Sequence, residues 1–211
     1  MHKQTIIYIV RHGQAELNAK KTIGGTFEPN PLTGKGKKQA LELAKKLENI
    51  QIDKIYSSDL SRARQTAEII ASKMALPVKI NKLLRERSWG SLQNKTFEEA
   101  KRMYPEAFEK EAEIEGHEAF KFRYVKDMES LGEAISRFKH FLEMVTSKQQ
   151  GKIILVVSHF DIIVGYLVDL SIGSYQKLMN ANFDYTGYYK LVADNGGTKV
   201  LEIVGLNVNQ T

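Results

Sequence analysis

The sequence predicts an α/β fold: a three-layer α/β/α sandwich with a mostly parallel central sheet and a small helical cap insertion. Three observations predict it. Residues 5–10 (TIIYIV) and 153–157 (IILVV) are β-branched apolar runs too short for helices, the signature of strands buried on both faces. Segments with helical apolar spacing separate and follow them, so strands alternate with helices. At 211 residues the chain is sized for one domain, given roughly 100 to 200 residues per domain. A single domain is therefore expected over residues 1–211, with the cap insertion at about 90–130.

After the first strand, Thr33 is placed to cap a helix whose Ala40, Leu43, Ala44 and Leu47 follow the i, i+3, i+4, i+7 spacing. A short strand ends at Tyr56 and Ser57, and Ala63, Ala67, Ile70, Ala71 and Met74 mark the next helix. Residues 78–80 add a short strand. Residues 97–108 and 131–145 carry helical patterns, with a polar segment between them that reads as loop or cap. The second apolar strand runs into Ser158 and His159 before an apolar helix over 162–170. Residues 187–193 and 199–204 form a hairpin whose turn takes its positive φ from Asn195-Gly196.

Composition narrows the function classes. With 42% hydrophobic and 27% charged residues and only 4 Pro, the chain is not collagen-like, coiled-coil or disordered. The lack of cysteine excludes disulfides, thiolate nucleophiles and thiolate metal sites, and suits a reducing compartment. The net charge of +6 favours anionic partners, and without a block of like charges a basic ligand pocket is expected rather than a nucleic-acid surface. No apolar run reaches the roughly 18 residues of a membrane span, and no signal peptide is apparent. A soluble cytoplasmic protein is the expectation.

Both apolar strands deliver a histidine, His12 and His159, to the carboxyl edge, where open α/β sheets bind ligands. Arg11-His12-Gly13 alone is no more than a strand-to-loop turn. Its surroundings change that weight: Asn18 follows closely, Arg62 opens a helix in SSDLSRARQTA (57–67), Glu86 stands in Leu84-Arg85-Glu86-Arg87, and His159 follows Val156-Val157-Ser158.

With these motifs in this order, together with Pro31-Leu32-Thr33, the chain resembles the histidine phosphatase superfamily, the phosphoglycerate-mutase-like proteins, and their phosphatase branch in particular. The resemblance implies that His12 is the nucleophile that takes a phosphoryl group. It implies that Arg11, Arg62 and His159 hold the phosphate oxygens with support from Asn18, that Glu86 is the proton donor and acceptor, and that neither metal nor cofactor is needed.

The chemistry accounts for the same residue types. A phosphoryl group in flight spreads charge over three oxygens, so converging cations and exact positioning do most of the catalysis. A neutral imidazole is a competent nucleophile once its other nitrogen is fixed, so His12 needs a backbone carbonyl partner from the following loop. Glu86 can protonate a leaving alkoxide only if its pKa is raised, so its neighbours Arg85 and Arg87 must face elsewhere.

Several positions depart from the family pattern. Phe160-Asp161 replaces a common Gly-Gly after the second histidine; the Phe160 N–H remains a phosphate donor while the ring and carboxylate restrict substrates. Ala15 and Pro29 replace a common Thr and Asp. Asn182 is a candidate pocket residue, and Arg123 is the candidate among the cap's basic residues for a second anionic group. Glu129-Ser130 and Arg137 read as structural. No P-loop, helical zinc pair or EF-hand pattern is present.

The expected activity is that of a metal-independent, histidine acid phosphatase-type phosphomonoesterase acting on a small phosphorylated metabolite. A phosphoglycerate mutase using the same phosphohistidine is the alternative, disfavoured because the mutases resembled carry a longer middle region and a C-terminal tail. A catalytically weak phospholigand-binding protein is the alternative from another class. The expected partner is a small phosphorylated substrate, not nucleic acid or membrane.

Overall fold

The computed structural model describes residues 3–194 and 197–208. Its strands are β1 (Thr5–Arg11), β2 (Lys54–Ser57), β3 (Val78–Ile80), β4 (Ile153–Ser158), β5 (Asn182–Asp194) and β6 (Gly197–Asn207). They form one sheet in the order β3-β2-β4-β1-β5-β6. The first four in that order are parallel, whereas β5 and β6 are antiparallel additions. The sheet is thus mostly parallel, as its apolar central strands predict.

Side chains alternate across a strand, so β1 and β4 divide their apolar residues between two faces. Ile7, Ile9, Ile154 and Val156 pack with Phe138, Phe141 and Leu142 of α7 (Leu131–Lys148) and with Ile162 and Ile163 of α8 (Phe160–Asp169). Tyr8, Val10, Leu155 and Val157 pack with Leu43 and Ala44 of α2 (Gly34–Lys46) and with Ala67 and Ile70 of α3 (Ser61–Met74). Helices therefore cover both faces. Phe138 and Phe141 are fully buried, and each such side chain contributes about 1.5–3 kcal/mol through removal from water.

The local signals act as their chemistry predicts. The Thr33 side chain accepts from the Gly36 N–H at 3.0 Å, capping α2. Ser130 and Glu133 form a reciprocal capping box that starts α7. At Gly36 a Cβ would run into the Gln14 carbonyl, so only glycine lets α2 approach the loop that follows β1.

Other features differ from expectation. The single pattern over 97–108 divides into α4 (Phe97–Met103) and α5 (Pro105–Glu113), because Pro105 lacks an N–H and forces Tyr104 out of the helical region, to φ −137 and ψ 55. The polar stretch after α5 contains α6 (Gly116–Lys121). Short helices α1 (Glu16–Ala19) and α9 (Tyr175–Met179) carry too few residues for a periodic signal. β5 begins earlier than its alternation indicates, since its register shifts between Phe183 and Tyr188. Asn195-Gly196, the expected hairpin turn, lies outside the described residues. Trp89, Leu92, Ala100 and Met128 build a separate small core with Ile23, against which Tyr104, Phe108 and Tyr124 pack. Among the described residues no helix is long and apolar enough to cross a membrane.

Candidate active site

Strand register brings the two histidines together. Arg11 lies opposite Ser158 in the parallel β1–β4 pair, and each strand's next residue is a histidine. The His12 N–H donates to the Ser158 carbonyl at 3.1 Å, and the two imidazole centroids lie 5.1 Å apart. Adjacent parallel strands therefore set this spacing. Arg62 enters from the first turn of α3, which follows β2 on the other side of β4, and is only 2% exposed.

Two contacts define the state of His12. Its Nδ1 donates to the Gly13 carbonyl at 2.7 Å, the loop partner the sequence calls for. The Arg62 Nε donates to its Nε2 at 3.2 Å. A nitrogen that accepts from a guanidinium carries a lone pair, so Nε2 is the nucleophilic atom and Nδ1 holds the proton. Burial first, then the charges of Arg62 and Arg11, hold the His12 pKa well below the ordinary 6.5, despite the Gly13 bond. The imidazole is neutral at physiological pH. His159 is held down likewise, first by burial and then by Arg62 and His12.

The cations are built in at a cost. Arg62 donates its Nη2 to the Gly25 carbonyl at 2.6 Å, and its Nη1 lies 3.6 Å from Glu28. Arg11 donates its Nη1 to the Phe183 carbonyl, with its guanidinium 4.2 Å from the Tyr185 ring centre and 5.0 Å from that of Phe160. Arg11 Nε, Arg62 Nη1 and both ring nitrogens of His159 are nevertheless buried without a hydrogen-bond partner. These are four of the six such side-chain atoms among the described residues, and they belong to the groups surrounding His12. The two guanidinium nitrogens and the protonated nitrogen of the neutral His159 ring are donors suited to the oxygens of a phosphoryl group.

Glu86 supplies the carboxyl group. It follows a 3-10 turn over Lys82–Leu84, and Arg137 binds the carbonyls of Leu83, Arg85 and Glu86 at 2.8, 2.6 and 3.0 Å. Its own oxygens accept from the N–H groups of Arg87 at 2.9 Å and Asp161 at 3.3 Å. Burial, reinforced by the Asp161 charge, pushes the Glu86 pKa up to about 7, against the lowering effect of those N–H groups and Arg62. Both neighbouring guanidiniums face elsewhere: Arg85 binds Asp59 in a two-bonded fork at 2.7 and 2.6 Å, and Arg87 binds Asp161 at 2.9 Å.

Other expected residues are placed differently. The Asn18 Oδ1 accepts from the Ala15 N–H at 3.1 Å, fixing the loop after Gly13, and no contact joins it to His12. Phe160 opens α8 and its ring faces Arg11. Arg123 is not brought to the histidines; it binds the Met128 carbonyl at 2.8 Å and Glu133 at 2.6 Å, because the first turn of α7 offers it a carboxylate. Asn182 is exposed and donates to Asp184 at 3.0 Å.

Some participants escape sequence reasoning. Thr66 accepts from the Gly13 N–H at 3.0 Å and donates to the Arg62 carbonyl at 2.8 Å. Its signal was available, as a hydroxyl within the apolar stripe of α3. Tyr185, Glu28 and the Arg87–Asp161 pair are joined to the site only by tertiary structure.

Comparison with known proteins bears on the family and the fold. Residues 7–205 match the family model of the histidine phosphatase superfamily (branch 1). An Arabidopsis thaliana protein named phosphoglycerate mutase-like protein 4 is 34% identical over 165 residues, covering 74% of this chain and 67% of the relative. A probable phosphoglycerate mutase, GpmB, of Escherichia coli is 33% identical over 171 residues, covering 79% and 74%. Among solved structures, Bacillus stearothermophilus YhfR superposes with a TM-score of 0.83 at 25% identity, covering 97% of this chain and 98% of that one. An Entamoeba histolytica phosphoserine phosphatase variant shares the fold at 23% identity, with a TM-score of 0.75 and coverage of 95% and 96%.

Proposed function

The chain belongs to the histidine phosphatase superfamily, and within it we propose a phosphomonoester hydrolase that works through a phosphohistidine at His12, without a metal, on a small phosphorylated metabolite. The observation that carries the reading is the tautomer of His12: the Gly13 carbonyl holds Nδ1–H, which leaves the Nε2 lone pair among the unpartnered donors of Arg11, Arg62 and His159.

In the first step Nε2 attacks phosphorus, the P–O bond to the alcohol breaks, and the Glu86 carboxylic acid gives its proton to the departing oxygen. Arg11, Arg62 and His159 bind the equatorial oxygens while charge builds there. In the second step a water attacks the phosphorus of phosphohistidine, the P–N bond to Nε2 breaks with its electron pair returning to the imidazole, and the Glu86 carboxylate takes the water's proton. Phosphate leaves and both groups are restored.

Transfer to water rather than to a second phosphorylated acid is supported by the pairing of the arginines near the Glu86 loop and in the cap region. Arg85 is paired with Asp59, Arg123 with Glu133, and Arg137 with Glu129. The cysteine-free composition and positive net charge fit our assignment of this activity to the cytoplasm and to anionic metabolites rather than nucleic acid or membrane.

The test is to trap the intermediate. Brief mixing with radiolabelled substrate and an alkaline denaturing quench should leave label on the peptide containing His12, and His12→Ala should abolish it. Label on a serine or aspartate would overturn the assignment.

A further inference from the structure

Beside the acid lies a third buried arginine whose charge is cancelled within the protein. The Arg87 Nε donates to the Asp161 Oδ2 at 2.9 Å, and their side chains are 3% and 9% exposed. The same carboxylate oxygen accepts from the Trp89 indole at 3.1 Å, and the Arg87 guanidinium lies 4.7 Å from that ring's centre. Trp89 thus contacts both members of the pair.

Its position gives it a bearing on the substrate. The main-chain N–H groups of Arg87 and Asp161 both hold the Glu86 carboxyl, one on each oxygen. If Glu86 protonates the leaving oxygen, the leaving alcohol lies on this side of phosphorus, opposite His12. The alcohol then faces an acid that becomes an anion on giving up its proton, while the Arg87 guanidinium, which interacts electrostatically with Glu86 from its buried place against Trp89, is already matched by Asp161. Arg87 therefore offers no uncompensated charge to a further carboxylate or phosphate on that alcohol.

We propose that the Arg87–Asp161 pair selects phosphomonoesters whose leaving alcohol carries no negative charge, and that Asp161 is the specificity-determining residue. This rests on the phosphatase reading above and names the substrate class within it. Phe160-Asp161, the departure from Gly-Gly after the second histidine, thereby acquires a role: the carboxylate neutralises Arg87 instead of serving as an acid.

Glycerol 1-phosphate and 3-phosphoglycerate test it, since they differ chiefly in a CH₂OH against a carboxylate. The readout is the ratio of their kcat/KM values. Wild type should prefer glycerol 1-phosphate, and Asp161→Asn, which frees the Arg87 charge, should move the ratio toward 3-phosphoglycerate by about ten- to a hundredfold, the size of one unit charge several Å away in a partly screened site. Asp161→Asn/Arg87→Gln, neutral again, should return the ratio toward wild type, which a merely structural role would not produce. Wild-type preference for 3-phosphoglycerate, or equal slowing of both substrates by Asp161→Asn, would overturn the proposal. Should Asp161→Asn fail to fold, the wild-type ratio and the double variant decide. Absence of hydrolysis of both esters and of nitrophenyl phosphate by wild type would instead refute the phosphatase reading itself.

Discussion

Replacing Glu86 by Gln should remove from the protein's stability a component that falls as pH rises, because the folded structure holds a proton on this carboxyl that the unfolded chain releases. The folded pKa is raised from 4.5 to about 7, chiefly by burial. Between those values the native state binds more protons than the unfolded state, so stability falls as pH rises through the window and the contribution is fully lost above about 7. At about 1.4 kcal/mol for each tenfold change in proton affinity, the whole window is worth about 3 kcal/mol, of which about 2 to 3 kcal/mol falls between pH 5 and pH 8. Gln cannot ionise. It also loses an acceptor for one of the two N–H groups that Glu86 serves, at a cost of about 1 kcal/mol, but that cost does not vary with pH.

Urea unfolding of both proteins at several pH values measures this. The difference between the two curves isolates Glu86, since His12 and His159 titrate in both and act in the opposite sense: their lowered pKa values remove stability as pH falls below 6.5. Glu86→Gln should gain about 2 to 3 kcal/mol relative to wild type from pH 5 to pH 8. Parallel curves would refute the raised pKa. The same variant has a kinetic signature, because an alkoxide needs the proton far more than a nitrophenolate does. In single turnovers, phosphorylation of His12 by an alkyl phosphate should slow by about 10² to 10⁴, and by much less with nitrophenyl phosphate. Equal slowing would mean that Glu86 shapes the pocket without donating a proton.

Turnover should survive excess chelator, because Arg11 and Arg62 supply the positive charge and His159 a further hydrogen bond, and vanadate should inhibit by adopting five-coordinate geometry; rescue of chelated enzyme by magnesium would defeat this. Gly36→Ala should destabilise the protein by about 1–3 kcal/mol, since its Cβ meets the Gln14 backbone and not the flexible end of a side chain. Unchanged urea unfolding would show that α2 can draw back from the loop.

The central architecture was legible because each signal was local. Two apolar runs declare the paired strands β1 and β4, and two residues of reading beyond each run find His12 and His159. That Arg85 and Arg87 point their guanidiniums away from the Glu86 carboxyl followed from chemistry alone, as Glu86 could not act as an acid otherwise. What those arginines bind was not legible: Asp59 and Asp161 are distant in sequence, and only folding chooses among acidic residues. Arg123 shows the same limit. A basic residue in a cap region reads as a substrate contact until the structure shows Glu133 opposite it. Tyr185 was hidden for another reason, since it lies in the irregular start of β5, where alternation fails.

The arrangement also explains why so much polarity is tolerated beside the most apolar strands. A buried polar atom without a partner costs about 1–3 kcal/mol, and four of them, three donors and one imidazole acceptor, surround His12. The fully buried Ile7, Ile9, Val10, Ile154, Val156 and Val157, with the helices on both faces, offset that cost. The strands thus have two linked roles: they set the histidine spacing through backbone register, and their packing holds unsatisfied donors in place before substrate arrives. A phosphoryl group then meets groups that need no reorganisation, which is the condition under which fixed dipoles and charges accelerate its transfer. The same burial that keeps His12 unprotonated also keeps Glu86 protonated near neutrality, so one low-dielectric environment prepares both nucleophile and acid.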